Sequence, residues 1–239
     1  LTALHMFNTS HDSLDASPEE LFANIRKLRK IHLACSVLRD LHKGIFTRLD
    51  QLLASNLSGI RLNSNRIDKT TFRGLIQLIA LDPSYNAPTR IDTRTFRDAF
   101  FLRTFDLRNN TINRIDSNTF LPLYNLHTLE LSKDRLHKLG AQLFNGSFVL
   151  NRLTLSGTRS RPSTRSFRDC SNLKELYLSE TEQITVPDAP RNLALLKTLD
   201  HGENQSSLYN SSFRNLDQLI GSRSRITYRQ TCTWQFMGK

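Results

Sequence analysis

The stretch NTFLPLYNLHTLEL, residues 118–131, sets apolar side chains at Phe120, Leu123, Leu126, Leu129 and Leu131. The gaps are three, three, three and two. A helix asks for three and four in alternation, and a strand asks for two, so neither period accounts for the whole run. Working outward, the same rhythm recurs. Phe22, Phe46, Phe72, Phe96, Phe120, Phe144, Phe167 and Phe213 are eight of the 14 phenylalanines, and they fall 24, 26, 24, 24, 24, 23 and 46 residues apart. The last step is twice 23. A fixed period of this size marks a repeat architecture.

Alignment on the phenylalanines recovers L-x-x-L-x-L-x-x-N-x-I-x-x-I ahead of each one. The clearest copy runs Leu102, Phe105, Leu107, Asn110, Ile112, Ile115, Phe120, and the next runs Leu126, Leu129, Leu131, Asp134, Leu136, Leu139, Phe144. This is the leucine-rich repeat. The expected fold class is an α/β repeat: a curved solenoid with a parallel sheet on its concave face and irregular or short-helical return segments. One turn cannot bury its own apolar face, so neighbours must stack to share a core. Copies start at Leu4, Leu28, Leu57, Leu78, Leu102, Leu126, Leu150, Leu173, Leu196 and, more weakly, Leu219. The irregular spacing around Leu57 predicts that residues 52–56 bulge out as a loop. The solenoid is expected over 1–220, with 221–239 either a degenerate repeat or a disordered tail.

The ninth position should turn inward and satisfy backbone groups of adjacent turns that lack helix or hairpin partners. Asn65, Asn86, Asn110 and Asn204 fill it; Ser36, Asp134, Thr158 and Thr181 are weaker substitutes. Other slots depart from the pattern. Pro83 stands where the second strand Leu belongs, and proline removes a ladder donor. His201 takes the same slot in its copy, Ser222 and Ser224 replace strand leucines, and Ser160 and Ser163 replace apolar residues after the bend. These departures read either as decay of the repeat or as functional tuning.

The runs RIDSNTFLPLYNLHTLELSKDRLHKLGAQLFNG (114–146), CSNLKELYLSE (170–180) and LKTLDHGENQ (196–205) resemble the ectodomain of insect Toll receptors, the subclass with long ectodomains, over about residues 78–220. The resemblance implies an extracellular receptor horseshoe that binds a cystine-knot cytokine of the Spätzle type or acts in cell–cell recognition. It implies a protein ligand, leaves room for a receptor dimer and for glycan, and places the chain outside the plasma membrane or in secretion. Any membrane attachment is expected through segments this chain does not include.

Charge and composition bound the alternatives. The chain carries a net charge of +11 and its pI is about 10. Such a surface favours anionic partners, among them sulfated glycan, nucleic acid or an acidic protein. Nucleic acid is the less expected of these partners, though charge alone does not choose among them. Arginines cluster in RSRPSTRSFR (159–168) and GSRSR (221–225); these are either an anion site or the solvated surface of degenerate turns. The three cysteines, Cys35, Cys170 and Cys232, are far apart and cannot all pair within one chain. Cys170 is expected as a buried thiol beside the phenylalanine column, and Cys35 near the surface. No phosphate loop, metal-ligand spacing or nucleophile signature occurs, so no enzyme, cofactor or metal is expected.

Six N-x-S/T triplets begin at Asn8, Asn56, Asn109, Asn145, Asn204 and Asn210, which points to secretion unless the abundance of Asn, Ser and Thr supplied them by chance. Asn56, Asn109, Asn145 and Asn210 are the expected glycan carriers, since Asn204 occupies the inward slot. Ligand contact is expected on the concave face. Position two of the turns reads Arg29, Ser58, Ile79, Arg103, His127, Asn151, Lys174, Lys197, and position five reads His32, Arg61, Asp82, Asp106, Glu130, Thr154, Tyr177, Asp200. A mostly basic column thus runs beside a partly acidic one. The candidate ligand-binding residues are Asp82, Arg103, Asp106, Arg108, His127, Glu130, Lys133, Arg152 and Tyr177; the competing reading is cross-strand charge compensation.

Overall fold

The mixed rhythm of residues 118–131 is two structures in succession. The Leu123 amide donates to the Phe120 carbonyl at 2.9 Å, and the Leu126 amide to the Leu123 carbonyl at 2.9 Å. Two consecutive three-residue turns therefore point Phe120, Leu123 and Leu126 inward. The chain then extends into a strand, and the gap drops to two between Leu129 and Leu131. The same pair of turns follows Phe22, Phe46, Phe72, Phe96, Phe144 and Phe167. Small residues at the middle position, Ala99, Ser147 and Cys170, are all buried there.

The computed structural model describes residues 4–14, 22, 24–38, 44–63, 67–137, 139, 140, 142–160, 162, 164–181, 193–200 and 202. Asn65, Ser163, His201, Asn204, Asn210, Phe213, Leu219, Ser222, Ser224, Cys232 and the segment 221–239 lie outside them, as do parts of the arginine-rich run 159–168.

The strands in chain order are β1 (Met6–Asn8), β2 (Ser13–Leu14), β3 (Lys30–His32), β4 (Val37–Leu38), β5 (Ala54–Asn56), β6 (Ala80–Asp82), β7 (Arg90–Ile91), β8 (Thr104–Asp106), β9 (Arg114–Ile115), β10 (Thr128–Glu130), β11 (Arg152–Thr154), β12 (Glu175–Tyr177) and β13 (Thr198–Asp200). One parallel sheet of nine runs β1-β3-β5-β6-β8-β10-β11-β12-β13, and two small sheets pair β2 with β4 and β7 with β9. The return segments are built of turns, with a 3-10 helix at Thr164–Phe167. This is the expected leucine-rich repeat solenoid, with almost no helix.

One register differs from expectation. Residues 52–56 are not a bulge: Ala54–Asn56 is a central strand, pairing Ala54 with both Lys30 and Ala80. That turn starts at Leu52, not Leu57, and its two extra residues fall on the return side, between β5 and Phe72. Ser55 therefore occupies a buried strand slot, and its hydroxyl has no partner. Strand pairing on both sides outweighs the better local match at Leu57. Ser58 and Arg61 accordingly leave the concave columns, and Leu53 and Asn56 take their places.

Pro83 has the effect its chemistry dictates. In other turns this residue's amide donates to the next strand: Leu57 to the Asp82 carbonyl at 2.7 Å, Leu107 to the Glu130 carbonyl at 2.8 Å. Proline has no hydrogen to give. The β6–β8 pairing is accordingly two residues long, Ala80 with Thr104 and Leu81 with Phe105, whereas β8–β10 and β5–β6 are three.

The core is a single cluster that includes Phe22, Phe46, Phe72, Phe96, Phe120, Phe144 and Phe167. Phe46 and Phe72 stack at 6.1 Å, Phe72 and Phe96 at 5.5 Å, Phe120 and Phe144 at 6.3 Å, and Phe144 and Phe167 at 6.1 Å. Between Phe96 and Phe120 the column is bridged edge-on by Phe105, 4.7 Å from one and 6.3 Å from the other. Phe105 stands in the strand slot that most turns give to an aliphatic residue, and its ring reaches back into the column. Such rings together bury the largest apolar areas of the protein and fix the stacking of one turn on the next.

Candidate functional site

The concave face is read from the strand registers. Position three runs Met6, Lys30, Ala54, Ala80, Thr104, Thr128, Arg152, Glu175, Thr198, and position five runs Asn8, His32, Asn56, Asp82, Asp106, Glu130, Thr154, Tyr177, Asp200. The structure thus places Asp82, Asp106 and Glu130 on successive strands, as the sequence predicts. Arg103 and His127 stand one residue ahead of their strands, and Arg108 and Lys133 just beyond theirs.

Position five has a structural task that the sequence reading missed. The side-chain oxygen of Asn8 accepts the Ser10 amide at 3.1 Å, Asn56 the Ser58 amide at 3.0 Å, Asp82 the Ser84 amide at 3.0 Å, Asp106 the Arg108 amide at 3.0 Å, and Asp200 the Gly202 amide at 3.0 Å. Each is a local turn in which Asn or Asp ties down the amide two residues on. The recurrence of Asn and Asp in this column was the available signal. Three residues beyond position five, His11, Cys35, Tyr85, Asn109, Lys133 and Glu180 have positive φ, and Gly59 and Gly157 take the same slot. A Cβ on Gly59 would lie 3.3 Å from the Cys35 sulfur.

The charges of the face are largely answered within it. Arg108 contacts the second Asp106 oxygen at 2.7 Å. Arg152 reaches Glu130 at 3.2 Å and Glu175 at 2.7 Å, so one guanidinium clips β10, β11 and β12 together. It also lies 4.7 Å over the Tyr177 ring, whose hydroxyl donates to Glu175 at 3.1 Å. Burial, with Asp82 and Glu130 nearby, pushes the Asp106 carboxyl above its ordinary value, against the pull of Arg108. Charge compensation is therefore built in at Asp106, Glu130 and Arg152. Arg103 has no carboxylate partner among the described residues.

The ninth-position slot works as a ladder. The Asn86 amide group donates to the carbonyls of Leu57 at 2.8 Å and Pro83 at 3.0 Å, and its oxygen accepts the Leu62 amide at 2.8 Å. Asn110 accepts the Asn86 amide at 2.8 Å and donates to Pro83 at 3.2 Å and to Leu107. Asp134 accepts the Ile112 amide at 3.2 Å, but its other oxygen is buried without a partner. Burial pushes this carboxyl up to about 8, so it is mostly protonated at neutral pH. A neutral acid there mimics the uncharged Asn of the neighbouring turns. Ser36, Thr158 and Thr181 are buried in the equivalent slots.

Asn56 is half-buried in β5, not on a loop, and its side chain is engaged by Ser58. Asn109 is half-buried beside the slot, and Asn145 is half-buried on a return segment with its side chain 3.4 Å from Asn118. Cys170 is fully buried, and burial pushes its thiol up to about 12. Cys35 is exposed. A crevice of about 360 Å³ on the return side is lined by Asn113, Arg114, Asp116 and His137 among others. Its carboxylate, Asp116, is already bound by Arg90 at 2.6 Å and Arg114 at 3.0 Å, and Arg90 holds it below the usual carboxylate range. Among the described residues no group of three or more His, Cys, Asp and Glu is arranged to hold a metal ion, and no helix is long and apolar enough to cross a membrane.

Residues 89–220, more than half of the chain, match six copies of the BspA type leucine rich repeat region. No curated protein matches the chain by sequence. A chain of the TLR13–ssRNA13 complex superposes with a TM-score of 0.73 at 23% identity, covering 94% of this chain and 33% of its own. A leucine-rich repeat protein of Leptospira interrogans does so with 0.79 at 21%, covering 91% and 54%. A chain of the Drosophila Toll–Spätzle complex gives 0.64 at 17%, covering 82% and 31%. At these identities the likeness is one of fold. The chain spans between about a third and a half of the length of these structures.

Proposed function

The chain belongs to the BspA type leucine rich repeat family, and from that premise we propose that it is the ligand-recognition portion of an extracellular receptor of Toll type, binding a protein. The observation that carries the reading is the continuous nine-stranded parallel sheet. Its concave surface presents polar and charged side chains in columns. The sequons at Asn109 and Asn145 and the likeness to a chain of the Toll–Spätzle complex support the extracellular setting. A Spätzle-like cystine-knot cytokine is the proposed class of ligand, with contacts from Asp82, Arg103, Asp106, Arg108, His127, Glu130, Lys133, Arg152 and Tyr177. Of these, Arg103 and Lys133 have no carboxylate partner among the described residues, whereas Tyr177 already meets Arg152 and Glu175.

A second reading is a basic surface for an anionic polymer, glycan or nucleic acid. The net charge of +11 favours it, as does the fold likeness to a chain solved with ssRNA13. Salt separates the two. Binding through phosphate or sulfate contacts falls by orders of magnitude between about 50 and 200 mM salt, whereas a shape-matched protein interface weakens far less. The test is surface plasmon resonance with the folded protein against a cystine-knot cytokine and against heparin and oligonucleotide, each at both salt concentrations. The double reversal Asp106→Lys, Glu130→Lys completes it. Unchanged cytokine binding by a variant with native circular dichroism removes the concave face as the site.

A further inference from the structure

Two residues ahead of each strand's entry leucine, four successive turns carry Ile76, Phe100, Tyr124 and Phe148. Ile76 is 45% exposed, Tyr124 54% and Phe148 55%; Phe100 is half-buried with its ring stacked on Tyr124 at 6.1 Å. Phe101, 56% exposed, widens the stripe. The equivalent slots of the turns on either side hold Asp50 and Ser171, so the stripe has polar ends. Exposed and half-buried apolar side chains at the same slot of four successive turns, two of them stacked on each other, are the kind of patch that marks an interaction surface. The core does not need these rings, because the inward Phe column already stacks the turns.

We propose that this edge of the solenoid, Ile76–Phe100–Tyr124–Phe148, is a docking surface for an acidic amphipathic helix of a partner protein. This rests on the reading of the chain as a protein-binding scaffold, but it puts the contact on the edge and not in the hollow. The flanking rows supply the charge argument. Three residues before the stripe stand Arg73, Arg97, Leu121 and Asn145; three residues after stand Ile79, Arg103, His127 and Asn151. Neither row contains a carboxylate. Asp98, the acid nearest in sequence, is committed to the Gly74 amide at 2.9 Å and lies 3.6 Å from Arg97. Arg73 and Arg103 have no carboxylate partner among the described residues.

An apolar stripe with basic borders is complementary to an apolar stripe with acidic borders. A helix fits the spacing. Its turns repeat at about 5.4 Å, close to the 6.1 Å between the Phe100 and Tyr124 rings. Three such intervals, about 18 Å, match about 12 helical residues at 1.5 Å each. A second copy of this chain would bring the Arg73, Arg97 and Arg103 borders against each other, and like charges across an interface are costly. Single-stranded nucleic acid binds by stacking bases on rings, but Ile76, Ile79 and Leu121 offer no ring. Aliphatic and aromatic residues side by side suit a partner's leucines.

The experiment uses the folded chain and a fluorescein-labelled 14-residue peptide in which Leu recurs every three or four positions among Glu. Polarisation should report binding, and Tyr124→Ser with Phe148→Ser should weaken it about tenfold, as loss of interface anchors does. Arg103→Glu should weaken it as well, while the concave reversal Asp106→Lys, Glu130→Lys should leave it unchanged. Both stripe residues are exposed, so the fold is expected to survive; circular dichroism checks this, and Tyr124→Leu should retain binding. The proposal is overturned by no binding, by equal binding of the Lys-for-Glu peptide, by equal binding to the stripe variant, or by self-association through the stripe in sedimentation. Tighter binding of an oligonucleotide at the same residues also overturns it. The scaffold reading fails separately, through absence of cytokine binding by the wild-type chain, whatever the stripe does.

Discussion

The turns that carry Asn86, Asn110 and Asp134 and the turns that carry Thr158 and Thr181 solve one problem in two ways. In the first region, side chains cross between turns: Asn86 reaches back to Leu57 and Leu62, Asn110 to Pro83 and Asn86, Asp134 to Ile112. In the second, the Thr158 hydroxyl donates to Leu155 of its own turn at 2.7 Å and meets Ser160 at 2.7 Å, and Thr181 donates to Leu178 at 2.8 Å. The backbone rungs are the same in both, for instance Lys133 to Ser156 at 2.8 Å and Gly157 to Ser179 at 2.8 Å. The difference teaches that the strand ladder and the Phe column suffice to stack turns. The Asn ladder adds cross-linking where Pro83 has removed a backbone rung.

The largest expected effect breaks that ladder. Asn110→Ala leaves the Leu107 carbonyl and the Asn86 backbone amide without their partner and takes one of two donors from the Pro83 carbonyl, and buried groups so orphaned cost about 1–3 kcal/mol each. Urea unfolding should show a loss of about 3 kcal/mol or more, against about 1 kcal/mol for Thr158→Ala, whose bonds stay local. Equal losses would erase the distinction between the two regions.

Next is Asp134, the point where the ladder passes from amide to acid. Its folded carboxyl titrates at about 8, far above the ordinary 3.8. The unfolded state therefore ionises first. The stabilising contribution is whole below the ordinary carboxyl value and is lost as pH rises through about 8. Within that window the slope is about 1.4 kcal/mol per pH unit. Asp134→Asn should flatten the stability profile over this window and be the more stable protein at its upper end. A profile that Asp134→Asn leaves unchanged would show the acid to be ionised in the fold.

Arg152 lies at the seam of the two regions, holding Glu130 on one side and Glu175 on the other. Its side chain is 43% exposed, so solvent screening applies, and Arg152→Ala should cost less than about 1 kcal/mol, falling further in high salt. A large, salt-insensitive loss would mean that the clip, not the core, joins the two halves.

The smallest effect is on reactivity and leaves stability untouched. Alkylation with iodoacetamide should modify exposed Cys35 quickly and spare Cys170, whose thiol is fully buried and pushed up to about 12. Because Cys170 sits among the Thr turns, its slow labelling also reports how often that region opens. Labelling of Cys170 at the rate of Cys35 would show the Thr turns to be open in the native state.

What the sequence by itself determined is the repeat, its period, the inward Leu and Phe residues and the Asn slot. These depend on burial, which acts on each residue type in every turn alike, so the pattern is written many times over. The tertiary structure decided what is written once. Leu52 and Leu57 both fit the start of a turn, and LSGIRLNSN after Leu57 is the better local match. Only pairing of Ala54 with Lys30 and Ala80 selects Leu52, at the expense of a buried Ser55. Likewise the Asp82 and Asp106 column reads as a recognition surface until the Ser84 and Arg108 amides are seen to use it. Asp134 reads as a weak Asn until burial on all sides makes it neutral. Backbone partners and the field around a carboxyl come from neighbouring turns, some 24 residues away in the chain, and no local stretch of sequence carries them.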